Sequence, residues 1–578
     1  MSSPAERYAA ARRREPAGSG QPEPRLDQFA ATLDFPLDEF QRTACQALER
    51  GSSVLVCAPT GAGKTVVGEF AVALALAGRG KCFYTTPIKA LSNQKYHDLV
   101  RVHGADRVGL LTGDNSVNGE APVVVMTTEV LRNMLYAGSG TLTGLSYVVM
   151  DEVHYLADRF RGAVWEEVII HLPASVALVS LSATVSNAEE FADWLVTVRG
   201  ETEVVVSEHR PVPLWQHMLV GRRMFDMLHE AAGVAEVHPE LLRHTRELTR
   251  RNGAGNGRGE RGGDRDRRRG YRSWRSLVPT RPEVVERLDR EGLLPAIVFI
   301  FSRAGCDAAV QQCLAAGLRL TSPEERAEIQ AVAQARVAGI PAEDLAVLGY
   351  RQWLDGLQRG LAAHHAGALP AFKEVVEELF VRGLVKAVFA TETLALGINM
   401  PARSVVLERL VKFDGESHVD LTPGEYTQLT GRAGRRGIDV EGHAVVVWSP
   451  EVDPRQVAGL ASTRTYPLRS SFRPSYNMAV NLVGTLGVAP ARTLLESSFA
   501  QFQADRAVVG IARQVQRNSE AIEALTAELA CDKGDFEGYF AVRRQVTERE
   551  RALAREGAAA RRAAAVDSLA RLRVGDVI

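Results

Sequence analysis

Cysteine is sparse and unpatterned: Cys45, Cys57, Cys82, Cys306, Cys313 and Cys531 are the only six in 578 residues, and none falls in a C-x-x-C pair. That excludes a disulfide framework and a zinc ribbon, and it fits a reducing cytoplasm. H-E-x-x-H is also absent, which removes the zinc-hydrolase signature. No stretch is long and apolar enough to span a bilayer, so no membrane partner is expected. The opening MSSPAERYAAARRREPAGSGQPEPRL lacks the apolar centre of a signal peptide, and residues 1–26 read as a disordered tail. Net charge is only −1. No global field draws in a polyanion, so nucleic-acid contacts must come from donors placed locally. Lysine is scarce as well, confined to Lys64, Lys81, Lys89, Lys95, Lys373, Lys386, Lys412 and Lys533. Against an arginine-rich background, a lysine at position 64 needs a local reason.

What is present reads as several domains, since a chain this long exceeds one core and implies roughly three to five. Residues 27–215 alternate apolar runs (SVLVCAP, KCFYTTP, PVVVMTTE, YVVMDE, ALVSLSAT) with helical patterns. Residues 291–460 repeat the alternation (AIVFIFSR, LAAHHAG, KAVFATE, SVVLER, HAVVVWSP). The expected class is α/β, with two parallel-sheet domains in tandem. Residues 216–290 read as a linker, and its Gly/Arg-rich RRNGAGNGRGERGGDRDRRRGYRS has no apolar period, as expected of a disordered insertion.

APTGAGKT, Ala58 to Thr65, follows the strand VLVC and precedes the apolar helix VVGEFAVALALA. It departs from G-x-x-x-x-G-K-[ST] only by Ala58 at the first glycine. Thr60, Gly61, Ala62 and Gly63 would wrap phosphate oxygens with backbone N–H groups, aided by the helix N-terminus. Lys64 would reach the β- and γ-phosphates, and Thr65 would offer its hydroxyl to Mg²⁺. A second run, LSYVVMDEVHYLAD, ends a strand on two adjacent carboxylates, Asp151 and Glu152. Like charges at the rim of an apolar sheet are unfavourable without a counter-charge. Mg²⁺ with its nucleotide supplies one: Asp151 would hold the ion, and Glu152 would orient and deprotonate the attacking water.

These two motifs, with SAT (Ser182 to Thr184) and QLTGRAGRRG (Gln428 to Gly437), resemble the DExH helicases of superfamily 2. FPLDEFQRTA, TTPIKALSNQK, LTGD, MTTEVLRNMLY, HRPVPL, HHAG and FATETLALGINMPA narrow the resemblance to the superkiller branch of exosome-associated RNA helicases. The resemblance implies two RecA-like domains and an ATP-dependent motor moving 3′ to 5′ along RNA. It implies that Phe35 stacks on adenine while Gln41 reads its edge. Gly397 and Asn399 would lie near the nucleotide. Gln428, Arg432 and Arg435 would face Lys64 and Glu152 when the lobes close, an arginine finger being worth roughly 10³ to 10⁵ in rate. Leu429 stands where many DExH proteins carry arginine; for Arg436 a solvated or structural role stands beside a catalytic one. His154 is read as a coupling residue bonded toward Gln428 or the SAT segment, Ser182 and Thr184 included. His364 and His365 are read as support for the HHAG loop.

The resemblance also places Pro87, Lys89, Gly113, Thr128 and Glu129 of the first domain, with Ser302, Arg303, Thr391 and Thr393 of the second, along a single-strand track on the opposite rim of the sheets. Such groups grip phosphates without reading bases. The run SVVLERLVKFDGESHVDLTPGE reads as a β-hairpin turning near Asp414 and Gly415, a candidate duplex wedge. Residues 461–505 resemble the start of a winged-helix domain. Residues 506–570 step apolar residues by threes and fours (Val508, Ile511, Val515, Ile522, Leu525, Leu529, then Tyr539, Val542, Val546, Leu553), as expected of an antiparallel helical hairpin, or stalk, with both stripes packed. RLRVGDVI, 571–578, reads as the start of a truncated β-rich arch. The expected partners are single-stranded or tailed duplex RNA and an RNA-degrading nuclease. A repair-type DNA helicase, a P-loop kinase or GTPase, and an RNA-binding scaffold without turnover are the competing readings.

Overall fold

The structure is a computed structural model that describes residues 25–570, apart from 79, 160, 232–233, 254–277, 396–399, 414–415, 463–466, 475, 507–517, 520, 523–524 and 526–534. Residues 1–24 of the N-terminal tail, nearly all of the Gly/Arg-rich insertion, Gly397, Asn399, the Asp414-Gly415 turn, the stripe residues Val508, Ile511, Val515 and Leu529, and residues 571–578 lie outside the described residues; the last two residues read as disordered tail, Arg25 and Leu26, instead open the helix Arg25–Ala30, with Leu26 buried.

The first lobe is built on eight strands: β1 (Ser53–Cys57), β2 (Lys81–Thr86), β3 (Val108–Leu111), β4 (Ser116–Val117), β5 (Val123–Thr127), β6 (Leu145–Met150), β7 (Ala177–Ser182) and β8 (Thr202–Val206). Their order is β4-β3-β5-β2-β6-β7-β1-β8, and every pairing is parallel except β3 with β4. Strands β1 and β5 are buried throughout, as continuous Val-rich runs must be when helices cover both faces of a sheet. Phe70, Val72 and Leu74 of the helix Thr65–Ala77 pack on one face with Val54, Val56 and Tyr84.

The second sheet takes β9 (Leu214–Val220) and β10 (Arg223–Asp226), then β13 (Ala296–Phe299), β14 (Leu361–His364), β15 (Ala387–Ala390), β16 (Ser404–Leu407) and β19 (Gly442–Val447), in the order β10-β9-β19-β16-β13-β15-β14. A separate pair, β11 (Leu228–Ala231) and β12 (Val234–Val237), lies between. The chain thus enters the second sheet at residue 214, and the segment read as linker from 216 supplies most of β9 and all of β10. Local reading misses this because the partner of β9 is β19, more than two hundred residues onward. The expected hairpin is formed by β17 (Val411–Phe413) and β18 (His418–Asp420).

After β19 the chain returns to the first lobe. Asn187 exchanges hydrogen bonds with the Leu468 backbone (2.9 and 2.6 Å), and Trp194 donates its indole N–H to the Ser497 carbonyl (2.8 Å). Phe499 is buried against Phe191 and Trp194. Two helices, Tyr476–Leu486 and Val488–Glu496, lie in this stretch.

Residues 501–578 form a second compact unit, dominated by the helix Phe536–Ala570. Its Tyr539, Val542, Val546 and Leu553 are exposed, as are Ile522 and Leu525. Among the described residues of this unit, then, the expected apolar stripe is exposed rather than packed.

Candidate functional site

Because β1, β7 and β6 are parallel neighbours, their carboxyl ends place three loops side by side. Ala58 N–H donates to the Ser182 carbonyl (3.1 Å), joining the start of the phosphate-type loop to SAT, and Asp151 follows β6 beyond it. Gly61 and Gly63 have φ of 83° and 88°, the left-handed region that glycine enters without steric cost. Lys64 is buried, and its Nζ donates to the carbonyls of Ala58 (2.8 Å) and Pro59 (3.2 Å). Thr65 opens the following helix.

Asp151 accepts from the Tyr84 hydroxyl (3.0 Å) and from the Glu152 backbone N–H (3.0 Å). Desolvation, with Glu152 beside it, pushes its pKa up to about 6, against the pull of Lys95, the Tyr84 bond and Lys64. An acid so placed is short of positive charge, and together with the Thr65 hydroxyl its oxygen chemistry fits a hard divalent ion such as Mg²⁺. Glu152 adopts φ 53°, a left-handed conformation uncommon outside glycine. Such strain clusters at functional sites. His154 is buried, and its Nδ1 accepts from the Ala183 backbone N–H (3.3 Å), inside SAT between Ser182 and Thr184. Burial, with Lys64 nearby, takes its pKa down to about 3, so it is neutral and suited to accept that bond.

Phe35 is exposed, three residues before Asp38, the N-cap of the helix Glu39–Glu49. Gln41 is fully buried and already engaged: Oε1 accepts from Asp38 N–H (2.9 Å), and Nε2 donates to the Gly63 carbonyl (2.9 Å). These bonds make it part of the helix cap and a brace for the loop.

The second lobe presents the Gln428–Gly437 turn to this cluster. Gln428 Nε2 donates to the Tyr155 hydroxyl (3.4 Å), next to His154 rather than to it. Gly431 is so close to Thr60 that an added Cβ would lie 3.0 Å from the threonine Cβ. Arg432 is desolvated, which lowers its pKa, and the charge of Glu152 acts to hold it up. Arg435 behaves otherwise: its Nε and Nη2 bind the Asp439 carboxylate (both 2.8 Å) within its own lobe. The expectation that Arg432 and Arg435 face Glu152 together therefore stands corrected for Arg435. Arg436 reaches across instead, donating to the Ala62 carbonyl (3.0 Å) and to Asp38 (2.9 Å).

The track residues also need one correction. Pro87, Thr128 and Gly113 follow β2, β5 and β3, so they emerge from the same carboxyl edge as the phosphate-type loop, on the other half of the sheet. Lys89 pairs with Asp114 (3.0 Å) beside Gly113. Arg161, which the motifs did not single out, donates to the Pro87 carbonyl (3.4 Å) and lies 3.9 Å from Glu129. Thr128 is buried and donates to the Thr86 carbonyl (3.3 Å), so its hydroxyl is turned inward. In the second lobe Ser302 caps the helix that begins at Arg303, accepting from Gly305 N–H (3.2 Å), and Thr391 and Thr393 share a hydroxyl bond (2.9 Å). Lys412 of the hairpin pairs with Glu392 (2.8 Å), between those threonines, and with Glu425 (2.6 Å), on the helix that carries Gln428. His364 and His365 are buried and tied to Glu377 (2.8 Å) and Asp307 (3.0 Å). Among the described residues no group of three or more His, Cys, Asp or Glu side chains is gathered as a metal site, and no helix is long and apolar enough to cross a membrane.

Comparison with known proteins agrees with this geometry. The DEAD/DEAH box helicase family matches residues 38–191. The probable helicase HelY of Mycobacterium tuberculosis is 65% identical over 559 residues, covering 96% of this chain and 61% of its own length. The human exosome RNA helicase MTR4 is 38% identical over 505 residues, covering 86% of the chain and 46% of its own. The human superkiller complex protein 2 is 38% identical over 529 residues, covering 89% and 41%. The chain thus spans less than two thirds of the length of these relatives.

Proposed function

We propose that this chain, a homologue of the mycobacterial HelY helicases that carries a DEAD/DEAH box helicase domain, is the motor of an ATP-dependent RNA helicase moving 3′ to 5′. One observation carries the reading: the Gln428–Arg432 segment of the second lobe lies directly against Thr60 and Tyr155 of the first, with Arg432 in the field of Glu152. A kinase or GTPase has no use for such a second lobe, and a scaffold has no use for its arginine at the acid pair.

Gly61 to Lys64 bind the triphosphate, Phe35 stacks on the base, and Gln41 braces the loop beneath it. Thr65 and Asp151 would hold Mg²⁺, which when bound neutralises phosphate oxygens. Glu152 accepts a proton from water as the new O–P bond forms and the bond to the β-phosphate oxygen breaks, leaving ADP and phosphate. Arg432 and Lys64 stabilise the charge that develops. His154 links the acid turn to SAT, so the hydrolytic state reaches the lobe boundary.

The strand lies across the Pro87–Glu129 side of one lobe and the Ser302–Thr393 side of the other, held through its phosphates. Binding is sequence-tolerant and weakens with salt. The β17–β18 hairpin would part a duplex, a role that Phe413, exposed beside His418, supports. Relatives named for the exosome and the superkiller complex support a nuclease partner and an intracellular, cytoplasmic setting.

The test is ATP hydrolysis with matched RNA and DNA strands at two salt concentrations, using wild type and Glu152→Gln. RNA-stimulated turnover that the variant abolishes is expected. Equal or stronger stimulation by DNA would move the substrate to the repair-type reading, and turnover without any nucleic-acid dependence would overturn the motor.

A further inference from the structure

Arg436 lies one residue past the arginine turn, and the reaction as described leaves it unused. Its Nη2 donates to Asp38 Oδ1 (2.9 Å), and Nη1 lies 2.9 Å from Asp38 Oδ2 while also donating to the Ala62 carbonyl (3.0 Å). A guanidinium fork that grips both oxygens of one carboxylate is the strong, orientation-specific form of this pairing. Both partners belong to the other lobe. Asp38 is also the N-cap of the helix Glu39–Glu49, in a capping box with Gln41.

We propose that Arg436 is a nucleotide-positioning residue that completes the phosphate cradle from across the cleft; the inference rests on the ATP-site reading above. In a trans peptide the carbonyl and the following N–H point in opposite directions. Fixing the Ala62 carbonyl on Arg436 therefore aims the Gly63 N–H the other way, into the loop. Gln41 does the same one peptide later: its amide holds the Gly63 carbonyl (2.9 Å) and so aims the Lys64 N–H. Two successive N–H groups of the cradle are thus oriented from behind, one by each lobe. Gly63 fits closely between these two side chains. A Cβ there would lie 2.8 Å from Gln41 Nε2 and 3.2 Å from Arg436 Nη1. Only the Gln41 brace belongs to the lobe that carries the loop. When the lobes part, the Gly63 N–H loses its support, and the ligand class that loses affinity is the nucleoside polyphosphate.

Arg436 therefore acts on binding, whereas Arg432 acts on turnover, and the two separate in kinetics. With the full chain and saturating RNA, Arg436→Gln is expected to raise KM for ATP and Kd for methylanthraniloyl-ATP about tenfold, the loss of one charge-assisted contact. Its kcat should fall far less than that of Arg432→Gln. Arg436→Lys, which can satisfy Asp38 or Ala62 but not both, should recover part of the affinity, and Asp38→Asn should show a smaller rise with an intact helix cap. Unchanged KM and Kd in Arg436→Gln, or a collapse of kcat with both unchanged, overturns the proposal. Should Arg436→Gln fail to fold, the same comparison is read from Arg436→Lys and Asp38→Asn. Wild-type protein that binds no methylanthraniloyl-ATP would overturn the ATP-site reading instead, a separable outcome.

Discussion

Arg435 is held by Asp439 in a two-pronged ion pair, Nε to Oδ2 and Nη2 to Oδ1 at 2.8 Å each, while its neighbour in the motif, Arg432, lies under the influence of Glu152. Two arginines three residues apart thus have different surroundings in this arrangement. Arg432→Gln is expected to lower kcat by roughly 10³ or more, the range of an arginine finger. Arg435→Gln should cost much less, and Asp439→Asn should reproduce its effect. Steady-state ATPase with saturating RNA measures all three; equal losses for Arg432 and Arg435 would mean that Arg435 leaves Asp439 during turnover.

Lys412 ties the hairpin to the Thr391–Thr393 segment and to the helix of Gln428 through Glu392 and Glu425, with little of its side chain in water. Replacing it with Met leaves two carboxylates without their shared cation, a loss of about 1 to 3 kcal/mol for a partly buried charge network. Lys412→Met is therefore expected to retain basal ATPase but lose most RNA stimulation and unwinding. A variant that unwinds at the wild-type rate would show that the hairpin is not coupled through this residue.

Glu166 gives a pH prediction. It is fully buried where the returning segment meets the first lobe, accepting from the Ser470 hydroxyl and from the backbone N–H groups of Phe499 (2.8 Å) and Ala500 (3.4 Å). Burial pushes its pKa up from 4.5 to about 7, despite those bonds. The folded state then holds a proton that the unfolded state has lost, so this site's contribution is fully present below about 4.5 and is lost as pH rises to about 7. Glu166→Gln removes the titration and leaves an acceptor. Relative to wild type, it should gain about 3 kcal/mol between pH 5 and 8 in denaturant melts. A constant difference across that range would count against the assignment.

At Gly431 an added Cβ would lie 3.0 Å from Thr60 Cβ across the cleft and 2.8 Å from the Thr427 carbonyl of its own lobe. Gly431→Ala should lower kcat/KM for ATP about tenfold or more by crowding the lobe contact, with a modest fall in melting temperature from the clash with the Thr427 carbonyl. Wild-type turnover in that variant would show that so close an approach is unnecessary.

The ten apolar runs that announce the two α/β lobes all became strands, because parallel strands buried on both faces need uninterrupted Val, Ile and Leu. The phosphate-type loop and the acid pair were equally legible, since their chemistry is local: glycines, a lysine and two carboxylates at strand ends. Pairing over long range was not. Nothing near Leu214–Val220 says that it joins β19. Nor does GRAGRRG say which arginine crosses the cleft, because that depends on the left-handed turns at Gly434 and Gly437 (φ 86° and 77°) and on Asp439 capturing Arg435 first. Exposure of the late apolar stripe was hidden for a similar reason: periodicity marks an apolar face without naming what covers it.

Residues 207–213, between β8 of one lobe and β9 of the other, have a further consequence. Fully extended they reach at most roughly 25 Å, so the strand ends they join cannot drift further apart than that. The tether is also stitched to the arginine turn: Arg210 Nη2 donates to the carbonyls of Gly431 (3.4 Å) and Ala433 (2.5 Å). The segment between the lobes therefore sits against the turn that carries Arg432 and Arg436. Any rotation there is geared straight to those guanidinium groups, which need no longer lever to sense it.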